Sequence, residues 1–230
     1  VFVETIANPR TQVADLEAIG AFCAERGLVY VVDNTMTSPY LFQPKSVGAS
    51  LVVNSLTMYV GAHGNALVSA VSETGAFDWT SFPIIYPDYQ GSDPGKWGIT
   101  QIKKKGLRDL GASLGPEAAH HVAMGAETLA LRVQRQSDNA MVMCRFLNDH
   151  PQVKRVYYPG LEDHPQHHRA EKLFRAYGGF FSFELNSDLD LWDFLNRLSV
   201  IVKSSNLGDN RTLAIPVAHT IYWRRVLDKR

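Results

Sequence analysis

Apolar positions along the chain fall into two patterns. Residues 1–4 form a short β-branched run. Leu28, Val29, Tyr30, Val31 and Val32 follow one another without polar alternation into Asp33, and Leu51, Val52 and Val53 do the same between Ser50 and Asn54-Ser55. Such runs belong to strands buried on both faces, the habit of parallel sheets. Between the first two, Leu16, Ile19, Ala21, Phe22 and Cys23 recur at helical spacing over residues 15–26, with Gly27 placed to end the helix. Asn8-Pro9 marks a turn. A weaker strand is expected over residues 66–71. Strand, helix and strand at this interval predict an α/β layer with right-handed crossovers.

Beyond residue 75 the pattern changes. Residues 75–97 are rich in Pro, Gly and aromatics (Phe77, Trp79, Phe82, Tyr86, Tyr89, Trp97), which predicts a long irregular excursion of functional or interfacial use. Residues 115–146 carry a long helical period. Strands are expected at 153–158, 178–185 and 200–203, with helices at 165–177 and 190–198. The mixture predicts a smaller α+β unit after the α/β one. The junction is placed at 128, giving residues 1–128 as part of a large domain and 129–230 as part of a C-terminal small domain. Val1 reads as a strand already under way, and residues 223–230 read as an amphipathic helix cut or frayed. Both ends are therefore expected to lack neighbouring segments.

Composition narrows the function classes. The chain is 45% hydrophobic and 20% charged, with 23 basic and 23 acidic residues, so no global field favours nucleic acid or an anionic membrane. Lys103-Lys104-Lys105 and Arg224-Arg225 read as solvated faces. The apolar runs are far short of the roughly 20 residues that cross a bilayer, and no signal peptide is expected. Two cysteines, Cys23 and Cys144, make no disulfide framework and sit at apolar helical positions, which points to core roles and a cytoplasmic setting. His120-His121 and His164, His167 and His168 are read as surface or capping residues rather than metal ligands, and His63 as support for the turn it follows. No Gly-x-Gly-x-x-Gly follows a strand, which argues against a dinucleotide-binding oxidoreductase.

In open α/β sheets ligands gather at the carboxyl ends of strands. The two apolar strands end in Asp33 and in Ser55-Leu56-Thr57, which sets a carboxylate and two hydroxyls side by side at one sheet edge. Hydroxyls beside a glycine-rich turn suit a phosphate, and the carboxylate suits a protonated ring nitrogen. Alone, both are also common turn chemistry.

The wording around these residues carries more. Glu4-Thr5-Ile6-Ala7-Asn8-Pro9, Val31-Val32-Asp33-Asn34-Thr35, Ser55-Leu56-Thr57-Met58-Tyr59-Val60-Gly61, Gly106-Leu107-Arg108-Asp109-Leu110-Gly111, Glu127-Thr128-Leu129-Ala130-Leu131-Arg132, Tyr158-Pro159-Gly160-Leu161 and Asn206-Leu207-Gly208-Asp209 occur in order. Together they resemble the Cys/Met metabolism (transsulfuration) family, over nearly the whole chain. Lys96-Trp97-Gly98 and residues 214–220 look most like its O-acetyl- or O-succinylhomoserine sulfhydrylase branch. The resemblance implies the fold-type I pyridoxal-phosphate architecture, a mostly parallel sheet flanked by helices with a smaller C-terminal α+β domain, here with N- and C-terminal parts missing. It implies pyridoxal 5'-phosphate as cofactor, an amino-acid substrate, and a homodimer or homotetramer. By the same resemblance Asp33 pairs with the pyridinium nitrogen, Ser55 and Thr57 hold the phosphate, Asn8 lies near the ring hydroxyl, and Asn206 lies near the substrate.

One position departs from the pattern. The family reads Ser-x-Thr-Lys-Tyr, and here Met58 stands at the lysine. That lysine condenses with the cofactor aldehyde and then shuttles protons. A thioether has no nitrogen to condense and no proton to lose. Loss of a positioned base alone costs roughly 10²–10⁴ in rate, so catalysis is expected to be impaired. The alternative is a relative that only binds cofactor or pairs with an intact subunit. Ala62 replaces a usual glycine, and Val68 and Ser69 stand where Gly-Gly is common, so their Cβ atoms are expected to crowd backbone that needs a glycine conformation.

Overall fold

The computed structural model describes residues 1–223. Strand β1 (Phe2–Glu4) leads into a small hairpin of β2 (Ile6–Ala7) and β3 (Gln12–Val13). The hairpin pairs Ile6 with Val13, both almost fully buried, and turns over residues 8–11 where Asn8-Pro9 predicted it. Helix α1 (Leu16–Glu25) starts at Asp15, whose Oδ1 accepts the Ala18 N–H at 3.1 Å, and buries Leu16, Gly20 and Cys23. An N-cap of this kind is worth about 1 kcal/mol. Gly27, at φ 60°, follows it. Next come β4 (Val31–Asp33), the single turn α2 (Ser38–Leu41), β5 (Leu51–Ser55) and β6 (Ser69–Glu73).

These four strands form one mixed sheet in the order β1-β4-β5-β6. The first three run parallel, with Glu4 beside Asp33 and Asp33 beside Val53. Strand β6 returns antiparallel to β5, which the run at 66–71 did not predict. It also starts later than expected: Leu67 is 92% exposed and lies outside the ladder. Strand β4 is shorter than its apolar run. β1 pairs from Phe2 opposite Val31, so residues 28–30 have no ladder partner there.

Alternation along the strands divides two cores. Tyr30, Val32 and Val52 join Leu16, Val133, Ala170 and Phe174 on one face of the sheet. Val31 and Leu51 meet Phe77, Trp79, Phe82, Ile85 and Trp97 on the other. The aromatic excursion at 75–97 is thus a cover for the sheet, built from short helical turns and T-shaped pairs such as Phe77–Trp79 at 4.8 Å. Sequence reading missed the helical stretch that follows it, α3 (Trp97–Gln101), a wide turn over Ile102–Leu107 and α4 (Arg108–Leu110).

The long helical period resolves into α5 (Pro116–Glu127) and α6 (Leu129–Asn148), which meet at Thr128. Strand β7 (Val153–Tyr157) pairs antiparallel with β8 (Ser182–Leu185), with α7 (His167–Leu173) between them. Helix α8 (Leu191–Arg197) precedes a parallel pair, β9 (Val202–Lys203) and β10 (Leu213–Ala214). Cys144, Val156, Tyr158 and Leu161 make a second core under β7. The helix expected over 223–230 lies, beyond Trp223, outside the described residues. No helix among the described residues is long and apolar enough to cross a membrane.

Candidate active site

The parallel strands deliver their last residues to one edge. Asp33 ends β4, half-buried, and its Oδ1 accepts the Thr35 N–H at 2.9 Å. Its second oxygen has no hydrogen bond among the described residues. Ser55 ends β5, and its N–H donates to Thr35 Oγ1 at 2.8 Å, so one threonine ties the two strand ends together. The Ser55 hydroxyl is free of protein partners among the described residues. Beneath them lies a buried polar layer. Thr37 Oγ1 donates to Asn34 Oδ1 at 2.6 Å and shares a 3.0 Å bond with Thr5 Oγ1, while Asn34 Nδ2 donates to Phe42 O. This layer fixes where Asp33 and Thr35 stand.

Glu4 adds charge to the edge. Burial raises its carboxyl above the ordinary value, the neighbouring Asp33 carboxylate adds to the rise, and the Asn8 N–H works against it. Asn8 is exposed on the hairpin turn, with no side-chain hydrogen bond among the described residues.

Leu56–Val60 is a wide helical turn. Gly61 N–H reaches back five residues to Leu56 O at 2.7 Å, and Ala62 N–H reaches Met58 O at 2.7 Å. Met58 sits at φ −80° and ψ −112°, outside helical values. Its half-buried side chain packs on the main apolar core beside the buried Tyr59, whose phenol burial pushes up. Thr57 Oγ1 accepts the Val68 N–H at 2.8 Å and donates to Val68 O at 3.2 Å. A hydroxyl has one proton, so in this arrangement Thr57 holds the chain returning to β6. Ala62 is fully buried at φ 59°. A Cβ in the left-handed region costs roughly 1–2 kcal/mol, as its replacement of a glycine led us to expect. Val68 and Ser69 have no positive φ, so the same expectation fails for them.

The loop at 206–211 lies on this turn. Gly208, at φ 74°, approaches so closely that a Cβ there would stand 2.6 Å from Tyr59 N. Asn210 N–H donates to Ala62 O at 2.9 Å. Asn206 is half-buried, and its side chain helps hold the Asp209 carboxyl down. The larger cause is Arg211, which grips both Asp209 oxygens at 2.9 and 3.0 Å. The structure therefore places Asn206 on the loop that packs against Met58 and Tyr59.

Two open cavities lie against the sheet. One of about 530 Å³ is flanked by Glu4, Gln12 and Gln166, and one of about 570 Å³ by Leu51, Trp79 and Ile85. Two of the histidines are engaged in the fold: His164 lies buried against Thr11 and Gln166, and His167 Nδ1 pairs with Pro159 O. Cys23 and Cys144 are buried and unpaired, with the Cys144 thiol pushed up by burial.

A carboxylate with a free oxygen and an unpaired serine hydroxyl, at the ends of adjacent parallel strands, can take a cationic ring nitrogen and a phosphate. Nothing at position 58 can take an aldehyde. The family profile described as Cys/Met metabolism PLP-dependent enzyme matches residues 1–229. The chain belongs to this family.

Among its relatives is O-acetyl-L-homoserine sulfhydrylase 1 of Thermus thermophilus, 38% identical over 96% of this chain and 56% of that one. L-methionine gamma-lyase of Fusobacterium nucleatum is 35% identical over 93% and 49%. A solved structure of a provisional O-acetylhomoserine (thiol)-lyase from Campylobacter jejuni, containing N'-pyridoxyl-lysine-5'-monophosphate, superposes with TM-score 0.86 at 31% identity, covering 99% of this chain and 57% of its own. The chain thus spans about half the length of the relatives it matches. The family fold, fold-type I with a mixed α/β sheet, and pyridoxal phosphate as the family cofactor follow from these matches.

Proposed function

We propose that this chain retains the non-covalent part of a sulfhydrylase-type cofactor site and has lost its catalytic chemistry. Met58 carries the reading. The C. jejuni structure holds its cofactor as a pyridoxyl-lysine, whereas here a thioether occupies the position that the family motif gives to lysine and packs on the apolar core. The cofactor, when bound, supplies an electron-withdrawing ring next to the substrate's α-carbon. Asp33 offers a carboxylate oxygen to the ring nitrogen and keeps that nitrogen protonated. Ser55 donates its hydroxyl to the phosphate. Thr57 can join only by giving up its bond to Val68 O. Asn8 would face the ring hydroxyl and Asn206 an amino-acid substrate. No side chain at position 58 moves a proton.

In this reading the chain binds pyridoxal phosphate reversibly and does not turn over O-acylhomoserine. It pairs with a second copy as a homodimer or homotetramer, or with an intact subunit, in the cytoplasm. Two unpaired buried thiols support a reducing compartment. Sulfide and O-acetylhomoserine supplied with excess pyridoxal phosphate test the catalytic half. Homocysteine formed by the unsubstituted chain would sink it.

A further inference from the structure

We propose that Arg132 is a positioning residue for the cofactor turn, fixing the backbone that presents Ser55, Thr57 and residue 58. This rests on the reading of that turn as the pyridoxal-phosphate site.

Arg132 stands in the first turn of α6, half-buried. Its Nε donates to Thr128 Oγ1 at 2.9 Å, Nη1 to Tyr59 O at 2.7 Å, and Nη2 to Val60 O at 3.0 Å and Gly125 O at 2.6 Å. No carboxylate pairs with it among the described residues. The cation is spent on three carbonyl oxygens from two separate elements. Two of those carbonyls need it. The wide winding of the turn sends Gly61 and Ala62 N–H groups back to Leu56 and Met58, so among the described residues no backbone N–H serves Tyr59 O or Val60 O. The third, Gly125 O, lies near the negative end of the α5 dipole.

The other fastenings of the turn sit at its ends or are packing contacts: the Leu56 and Thr57 N–H groups and the Thr57 hydroxyl on Val68, Asn210 N–H on Ala62 O, and the close approaches of Gly125 and Gly208. Arg132 binds the carbonyl oxygens of the two residues that directly follow residue 58. A planar fork can span Tyr59, Val60 and Gly125 together, whereas a lysine ammonium keeps the charge without the span. Losing two charge-assisted bonds to the turn lets it rotate about Met58, whose ψ is already outside the helical well. Such a rotation moves Thr57 and the backbone that follows Ser55 before it moves Asp33, which Thr35 holds at the strand end.

The test compares Arg132→Lys and Arg132→Met with the unsubstituted chain by three readouts. Fluorescence titration gives the affinity for pyridoxal phosphate and for pyridoxal, which lacks the phosphate. Amide exchange is followed at Gly61 and Ala62, with Val156 in β7 as a distant control. Expected is a weakening of about tenfold or more for pyridoxal phosphate, with pyridoxal affinity unchanged. Exchange speeds up at Gly61 and Ala62 and not at Val156. Equal losses for both ligands with protection lost everywhere would show a general structural role and overturn the proposal, as would unchanged exchange at Gly61 and Ala62. If the unsubstituted chain binds no pyridoxal phosphate, the cofactor reading itself fails, and exchange alone then decides whether Arg132 fixes the turn.

Discussion

Replacing Gly125 by alanine sets two effects against each other at the support of the cofactor turn. Gly125 lies in α5, buried, and a Cβ built there stands 2.6 Å from Val60 O, 2.6 Å from Gly61 O and 2.9 Å from Gly61 Cα. Carbon–oxygen contacts settle at roughly 3.3 Å or more, so α5 has to retreat by about 0.7 Å. All three atoms are backbone and cannot swing aside. Helix propensity works the other way and favours alanine over glycine by about 1 kcal/mol. Overpacking costs about 1–3 kcal/mol. The retreat also stretches the Arg132 bridge between Gly125 O and Val60 O, a charge-assisted bond of about 1.5–3 kcal/mol. The clash wins, for a net loss of about 2–4 kcal/mol. Gly106→Ala is the control: it lies in the wide helical turn at 102–107, where a Cβ meets nothing within 4 Å, and it should gain about 0.5–1 kcal/mol. Urea unfolding followed by circular dichroism reads both as midpoint shifts at constant slope. A Gly125→Ala chain as stable as the unsubstituted one would refute the close packing of α5 on the turn.

Two further substitutions probe the same region. Asp209→Asn removes the gripped carboxylate under Arg211, whose guanidinium is largely exposed, so the loss at pH 7 is about 1–2 kcal/mol. The folded state holds the Asp209 acid constant below its ordinary value, chiefly through Arg211. The stabilisation is therefore complete above the ordinary carboxyl range and disappears as pH falls through the lower folded value. Stability measured from pH 7 down to 2 should show the two chains converging at the acid end, and a constant gap would contradict the pairing. Thr57→Val keeps the side-chain shape and strips both bonds to Val68, leaving a buried N–H unpaired. A loss of about 1–3 kcal/mol is expected by thermal or urea unfolding, and no change would show that the hydroxyl does not hold the return to β6.

How much of this was legible in the sequence differs by element. Strands β4 and β5 were readable because burial on both faces removes polar positions from Val31, Val32, Leu51, Val52 and Val53. Helix α1 was readable through the spacing of Leu16, Ile19 and Cys23 and the Gly27 that ends it; its cap at Asp15 emerged only in the structure. Strand β6 was misplaced because Ala66 and Leu67 are apolar yet precede the ladder, and its direction is set by the turn at 56–68, whose composition does not specify which way the chain returns. The break between α5 and α6 carries neither Gly nor Pro at the junction, so the period ran on through Thr128. At the site, Asp33 and Ser55 could be brought together from strand ends alone. The engagement of Thr57 with Val68 could not, because it depends on a side-chain rotamer. Arg132 was quoted as part of a motif without a role, although one signal was available: it has no acidic residue three or four positions away, so its charge had to be answered across the fold.

The most direct measurement mixes the chain with pyridoxal 5'-phosphate, treats half the sample with borohydride, and searches every peptide by mass spectrometry for a fixed pyridoxyl group, with Met58→Lys alongside. Cofactor that washes out on desalting, with no modified peptide in the unsubstituted chain and a modified position 58 in the variant, is the expected result. A stoichiometric adduct on another lysine of the unsubstituted chain would contradict the claim that Met58 leaves the site without its covalent anchor.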